Sequence, residues 1–293
     1  MAVTAAQVKE LRERTGVGMM DAKKALVEVD GDMDKAIDLL REKGMAKAAK
    51  KADRITAEGL TGIFAAGNVA ALVEINSETD FVAKNDQFKN IVANIAKLVA
   101  KNKPKDLEQA LALTNDKGAT IKAELVEGTQ IIGEKLNFRR FKLVEKADSE
   151  NFGIYSHMGG RIGVLTVING GDELAAKDVA MHVAAIDPQY ISRGCVPDDV
   201  VKHERSILLN SDDMKSKPEN VQEKIVEGRL NKFLAEISLE DQPFVKNPDE
   251  TVAKFLSGKG AAIKSFIRFE VGEGIEKKEE DFASEVMAQA KLK

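Results

Sequence analysis

The chain has 293 residues, enough for about two domains, and an ordinary globular composition of 43% apolar and 31% charged residues. With no Trp, two Tyr and a formal net charge of −4, it lacks both the stacking platforms of a single-strand binder and the basic field of a duplex binder, so direct nucleic-acid binding is not expected. One cysteine, Cys195, excludes an intrachain disulfide and a multi-cysteine metal site; the opening MAVTAAQVKELRERTG has no apolar signal core and no membrane-spanning run follows, so a cytoplasmic protein is expected.

In chain order, the first elements predict a small helical module. Thr4 and Gln7 make a T-x-x-Q capping box, with Val8 and Leu11 on one helical face behind it. After Gly16 and Gly18, a second stripe runs through Met19, Ala22, Leu26 and Val29. Asp30-Gly31-Asp32 makes a turn, and Met33, Ile37 and Leu40 form a third stripe, which Gly44 is expected to close as a left-handed C′ residue. Lys47, Lys50, Lys51 and Arg54 follow, on a solvated linker or helix extension or else at an anion site.

The sequence then repeats. Leu72-Val73-Glu74-Ile75-Asn76, an acidic turn, Ala83-Lys84 and a helix through Phe88 and Ile91 return 93 residues later. The second copy reads Leu165-Thr166-Val167-Ile168-Asn169, Gly170-Gly171-Asp172-Glu173, Ala176-Lys177 and a helix through Met181. Phe138-Arg139-Arg140-Phe141-Lys142-Leu143 matches Phe266-Ile267-Arg268-Phe269-Glu270-Val271 at an offset of 128, which implies an insertion of about 35 residues in the second copy. A polar helical hairpin between Pro197 and Glu236 supplies it: one helix through Val201 and Leu208, a break from Ser211 to Pro218, and a second helix through Val221, Ile225 and Phe233. Pro218 suits that helix's first turn. Such a hairpin buries one thin stripe, often against another chain.

The expected class is α+β: a three-helix module over 1–53, a duplicated core over 54–189 and 239–273, an inserted hairpin over 190–238, and a terminal helical module over 274–293. In the last, Phe282 and Val286 share one face of a helix from Glu279 to Ala290.

No residues converge on catalysis. There is no phosphate loop, and Gly159-Gly160-Arg161-Ile162-Gly163 precedes a strand, so it reads as a tight turn rather than a dinucleotide fingerprint. His182 reads as packed, His203 as solvated, and Cys195 as an inert thiol; His157 lies in a glycine-flanked loop where a buried structural role is less natural. Neither a cofactor nor a catalytic residue is assigned. In Asn76-Ser77-Glu78-Thr79-Asp80-Phe81-Val82-Ala83-Lys84-Asn85, an aromatic and a carboxylate stand together just beyond a strand. Either Thr79 caps a helix and exposes Phe81 in its first turn, or Phe81 belongs to the core, as Leu174 would at the matching position of the second copy.

Lys9-Glu10-Leu11-Arg12-Glu13-Arg14-Thr15-Gly16, Gly18-Met19-Met20-Asp21-Ala22-Lys23-Lys24-Ala25-Leu26, Thr79-Asp80-Phe81-Val82-Ala83-Lys84 and Phe266-Ile267-Arg268-Phe269-Glu270-Val271-Gly272-Glu273-Gly274-Ile275-Glu276-Lys277 together resemble the bacterial elongation factor Ts family, in order and over essentially the whole chain. The resemblance implies a guanine-nucleotide exchange factor that binds the GDP-bound GTPase elongation factor Tu and has no bond chemistry of its own. It implies a ubiquitin-associated-like N-terminal module docking on the nucleotide-binding domain through Arg12, Met19, Met20 and Lys23. Thr79, Asp80, Phe81 and Val82 match the segment that displaces partner helices near the magnesium site, and His157 matches a second core contact. The hairpin matches an element that dimerises in some members, and the terminal helix one that also touches the nucleotide-binding domain. Two other classes compete: an enzyme assembled between chains around His157, and a scaffold that binds without changing nucleotide release.

Overall fold

The structure is a computed structural model that describes residues 3–214 and 217–276; the expected terminal helix with Phe282 and Val286 lies outside the described residues. Helix α1 (Ala5–Thr15) starts at Thr4, whose hydroxyl accepts the Gln7 N–H while the Gln7 side chain accepts the Thr4 N–H, so the capping box forms. With α2 (Met19–Glu28) and α3 (Met33–Ala49) it encloses Leu11, Ala22, Leu26, Ala36 and Leu40. Met19 is not in that stripe: it lies in the first turn of α2, ahead of Ala22, and is 47% exposed.

Gly44 does not end α3. The next five residues, Met45-Ala46-Lys47-Ala48-Ala49, are strong helix formers and the helix runs through them. Gly44 instead faces a later helix, where the Gln130 side chain lies over it with its Cβ 3.7 Å and its amide oxygen 2.1 Å from where a Cβ would stand. The basic stretch is a helix extension followed by a turn, and several of its cations meet the protein's own acceptors: Lys47 pairs with Asp21, Lys51 donates to the Gly133 carbonyl, and Arg54 pairs with Glu78.

The first copy of the core is the antiparallel sheet β1 (Glu58–Ala66), β2 (Val69–Ser77) and β3 (Asn137–Glu145), in that order. Helices α4 (Asp80–Ala83), α5 (Asp86–Asn102), α6 (Leu107–Ala112) and α7 (Ile121–Ile132) connect β2 to β3. Phe88, Val92, Ile95 and Val99 of α5 pack with Ala71, Val73 and Ile75 of β2 and with Ile121 and Leu125 of α7. The second copy contains β4 (Glu150–His157), β5 (Ile162–Gly170) and α8 (Glu173–Ile186), then the hairpin of α9 (Asp198–Leu209) and α10 (Glu219–Ile237). A small ribbon of β6 (Pro243–Phe244) and β7 (Asn247–Thr251), α11 (Val252–Gly258) and β8 (Ala261–Glu270) complete it, with sheet order β4-β5-β8. The two sheets meet through β1, β2 and β5. A Cβ on Gly163 of β5 would lie 2.6 Å from Thr61 Oγ1 and 2.8 Å from Leu72 Cδ1, so glycine is what lets the strands close together there. Pro218 takes the N-cap of α10, one residue before the expected first turn.

The duplication is present, with one correction. β5 begins and ends 93 residues after β2, from Val69 to Ile162 and from Ser77 to Gly170. The closing strands, however, are equivalent at 125 residues: Val73 faces Phe141 in one sheet and Thr166 faces Phe266 in the other. Each closing strand also has a bulge at its matching position, with Arg139 skipped in one register and Lys264 in the other. The second copy is therefore longer by 125 − 93, or 32 residues, rather than 35. The similar Phe-x-Arg-Phe strings lie three residues out of structural register; the bulge is common to both copies and does not produce the offset, and matching letters do not fix which residues pair across a sheet.

His182 is fully buried, as its neighbours imply. The Val245 N–H donates to Nδ1 at 3.1 Å, so the proton sits on Nε2, which donates to Gln242 Oε1 at 2.9 Å. Burial lowers its pKa, and the Gln242 contact only partly opposes this. Below about pH 6.5 the unfolded chain takes up a proton that the folded chain resists, so stability falls on acidification through that window. His182→Gln cannot titrate and is expected to flatten that part of a denaturant-midpoint profile between about pH 6.5 and 5. An unchanged slope would place the proton uptake elsewhere.

Candidate docking site

The Thr79 segment is built to hold one aromatic ring outward. Glu134, just past α7, accepts the Glu78 and Thr79 N–H groups on Oε2 at 3.1 and 2.9 Å, and the Thr79 hydroxyl on Oε1 at 2.6 Å. Thr79 is thus the N-cap residue of α4, but its hydroxyl serves Glu134 rather than the helix. Val82 is buried in the first core cluster and anchors the segment from beneath. Asn85 then caps α5, accepting the Gln87 and Phe88 N–H groups, which separates α4 as a single turn aimed independently of α5.

Between these anchors Phe81 is 78% exposed, which decides between the two sequence readings. Its counterpart Leu174 is 65% exposed, so the copies agree: the second residue after the cap points out, and the third (Val82 or Ala175) points in. Asp80 beside it forms an exposed ion pair with Lys84 at 2.8 Å. The Lys84 hydrogen bond lowers the Asp80 pKa, with a smaller contribution from the charge of Arg161. Exposed pairs of this kind are weak, so Asp80 can readily exchange Lys84 for another partner.

Three further features adjoin this turn. Arg161 donates to Glu58 at 3.1 Å at the start of β1, and the Thr61 hydroxyl donates to the Gly160 carbonyl at 2.8 Å, so the His157–Gly160 loop and α4 both pack on β1. His157 is exposed, with its ring stacked on Tyr155 and its Nδ1 3.3 Å from the Tyr155 hydroxyl. On the other side, the turn between α1 and α2 reaches the core. A Cβ on Gly16 would lie 3.2 Å from Ile131 Cδ1 and 3.8 Å from Gln87 Nε2, in the first turn of the helix that follows Phe81. On the two helices that the α1–α2 turn joins, Arg12 of α1 and Met19, Met20 and Lys23 of α2 are all exposed, while Val17 within the turn is buried. Met158, Arg161 and Glu134 are absent from the sequence-derived set; Met158 and Arg161 lie in the Gly159-Gly160 loop that the sequence marked as a turn, whereas nothing local to Glu134 announces its reach to Thr79.

Two clefts on the surface, of about 510 and 520 Å³, lie around the end of α1, α3, α6 and α7; Val17 lines the first, and neither includes Arg12, Met19, Met20, Lys23, the Thr79–Val82 segment or His157. Among the described residues no group of three or more His, Cys, Asp or Glu could hold a metal ion, and no helix is long and apolar enough to cross a membrane. The Thr79 segment thus presents outward apolar side chains on a pinned turn, with exposed charges beside them.

Comparison with known proteins identifies the family. The sequence profile described as Elongation factor TS matches residues 78–273. The chain is 60% identical over 289 residues to elongation factor Ts of Lacticaseibacillus casei (strain BL23), covering 99% of each chain. It is 58% identical over 289 residues to that of Leuconostoc mesenteroides subsp. mesenteroides, again over 99% of each, and 56% identical over 287 residues to that of Oenococcus oeni, over 98% of each. The chain belongs to the elongation factor Ts family.

Proposed function

We propose that this protein is a cytoplasmic guanine-nucleotide exchange factor, which binds elongation factor Tu in its GDP-bound form and promotes GDP release during translation elongation. The observation that carries the reading is Phe81: a large aromatic, 78% exposed, on a turn fixed by Glu134, Val82 and the Asn85 cap. A ring held this way can enter a partner's pocket without the cost of first being ordered. Asp80 beside it brings a carboxylate into the partner's magnesium and phosphate region, where it disturbs the metal's coordination. Arg12, Met19, Met20 and Lys23 grip the nucleotide-binding domain, with the methionines supplying an adaptable apolar patch, and His157 adds a core contact.

Exchange needs no acid, base or nucleophile, because only relative binding free energies change. Weakening GDP binding a thousandfold requires about 4 kcal/mol of coupling, within reach of one buried aromatic together with lost magnesium neutralisation. The test is stopped-flow release of fluorescent GDP from elongation factor Tu with and without the chain. Acceleration supports exchange, whereas an unchanged rate favours a scaffold that only binds. The same reading assigns the hairpin's outward Ile207 and Leu209 to pairing with a second copy of the chain. Sedimentation equilibrium is expected to show a dimer that Ile207→Glu dissociates, and a monomeric natural chain would remove that assignment.

A further inference from the structure

A second exposed apolar side chain stands on a loop that packs on β1, as the Phe81 turn does, and on a backbone its residue type resists. Met158 has φ +50° and is 69% exposed. Gly159 and Gly160 follow with φ +67° and +103°, so three consecutive residues are left-handed and only the first carries a side chain. Among the described residues the other non-glycine positions with positive φ are Asp30, Lys103 and Asp187. Lys103 and Asp187 close α5 and α8 as left-handed C-caps, and Asp30 turns the chain between α2 and α3. Met158 closes no such helix, is the only apolar member of the set, and gains little burial to offset the conformation. A third glycine would fit this turn with less strain, so folding alone does not account for the side chain.

Its place is defined. Gly160 holds the loop on β1, with its Cβ position 3.0 Å from Leu60 Cδ2, and Leu60 shares a core cluster with Val82, the residue that follows Phe81. The Arg161 N–H returns to the Met158 carbonyl at 3.4 Å, while the Arg161 charge acts on Asp80. We propose that Met158 is a second apolar contact with the GTPase, continuous with the Phe81 turn, and that it helps set how far the aromatic ring enters. The inference rests on the exchange reading and extends it from one apolar contact to two. A flexible thioether suits a surface that must stay in contact while the partner's helices shift.

Met158→Ala removes the side chain and keeps the strained φ; Met158→Gly removes both. Each is expected to slow stimulated GDP release about tenfold, the usual scale for losing an apolar anchor. Met158→Gly is also expected to melt at or above the natural chain, which separates a lost contact from lost folding. Natural release rates in both variants, alongside a slow Phe81→Ala, would overturn the Met158 contact alone. Failure of the natural chain to accelerate release would overturn the exchange reading and Met158 with it.

Discussion

Phe81→Ala is expected to slow stimulated GDP release roughly a hundredfold, the effect of a central hot-spot residue worth about 2.7 kcal/mol. Its thermal unfolding is expected to match that of the natural chain. Phe81 is 78% exposed, and what fixes its turn is Glu134, Val82 and Asn85, none of which the substitution touches. Among the described residues its ring meets only the distant Lys84 ammonium, 5.7 Å from the centroid. Exchange is expected to suffer far more than affinity for the nucleotide-free GTPase, because a wedge acts by displacing the partner's own groups. Equal loss of exchange and binding, or loss of neither, would sink the wedge mechanism while leaving docking intact.

The largest stability effect is expected at Glu74, which has no solvent exposure at its side chain. Burial pushes its pKa up, but the Gly272 N–H at 2.9 Å and the guanidinium groups of Arg139 and Arg140 outweigh that and lower it overall. Arg140 also reaches Glu273 and stacks over the Phe269 ring at 4.2 Å, so one carboxylate joins β2, β3 and the strand end at β8. Glu74→Ala leaves two cations without their buried partner and is expected to cost about 3 kcal/mol. That is the low end for breaking a buried pair, since both guanidiniums remain partly solvated. The depressed pKa makes this stabilisation fully present above the ordinary carboxylate range and lost as pH falls through the folded-state value. Urea midpoints of the natural chain and the variant should therefore differ widely at neutral pH and converge in acid. A neutral-pH difference under about 1 kcal/mol would mean that the charges carry little of the join.

Much of this fold was legible in residues. The Thr4–Gln7 box, the 93-residue repeat and the helical insertion each leave a local signature that sets the backbone directly. Gly44 misled because a glycine near a helix end has two uses, and which applies depended on Gln130, 86 positions away. The 128-residue offset misled because matching Phe-x-Arg-Phe strings do not report which residues pair across a sheet, and the pairing aligns the closing strands at 125. The exposure of Phe81 stayed open since an aromatic after a cap fits both core and surface; only the fold shows Leu174 exposed at the matching position. The Glu74 join did leave a signal: the other copy has the buried Val167 at that place, and a carboxylate in an apolar position must find partners. Those partners, Arg139, Arg140 and Gly272, come from the far ends of the core, which adjacency in sequence does not reveal.

The exchange mechanism is tested most directly by the affinity of the natural chain for elongation factor Tu, measured nucleotide-free and again with saturating GDP and magnesium. Linkage requires GDP to weaken the chain's grip by the same factor by which the chain weakens GDP, here about a thousandfold. Equal affinity in the two states would contradict exchange and leave a protein that docks on the GTPase without acting on its nucleotide.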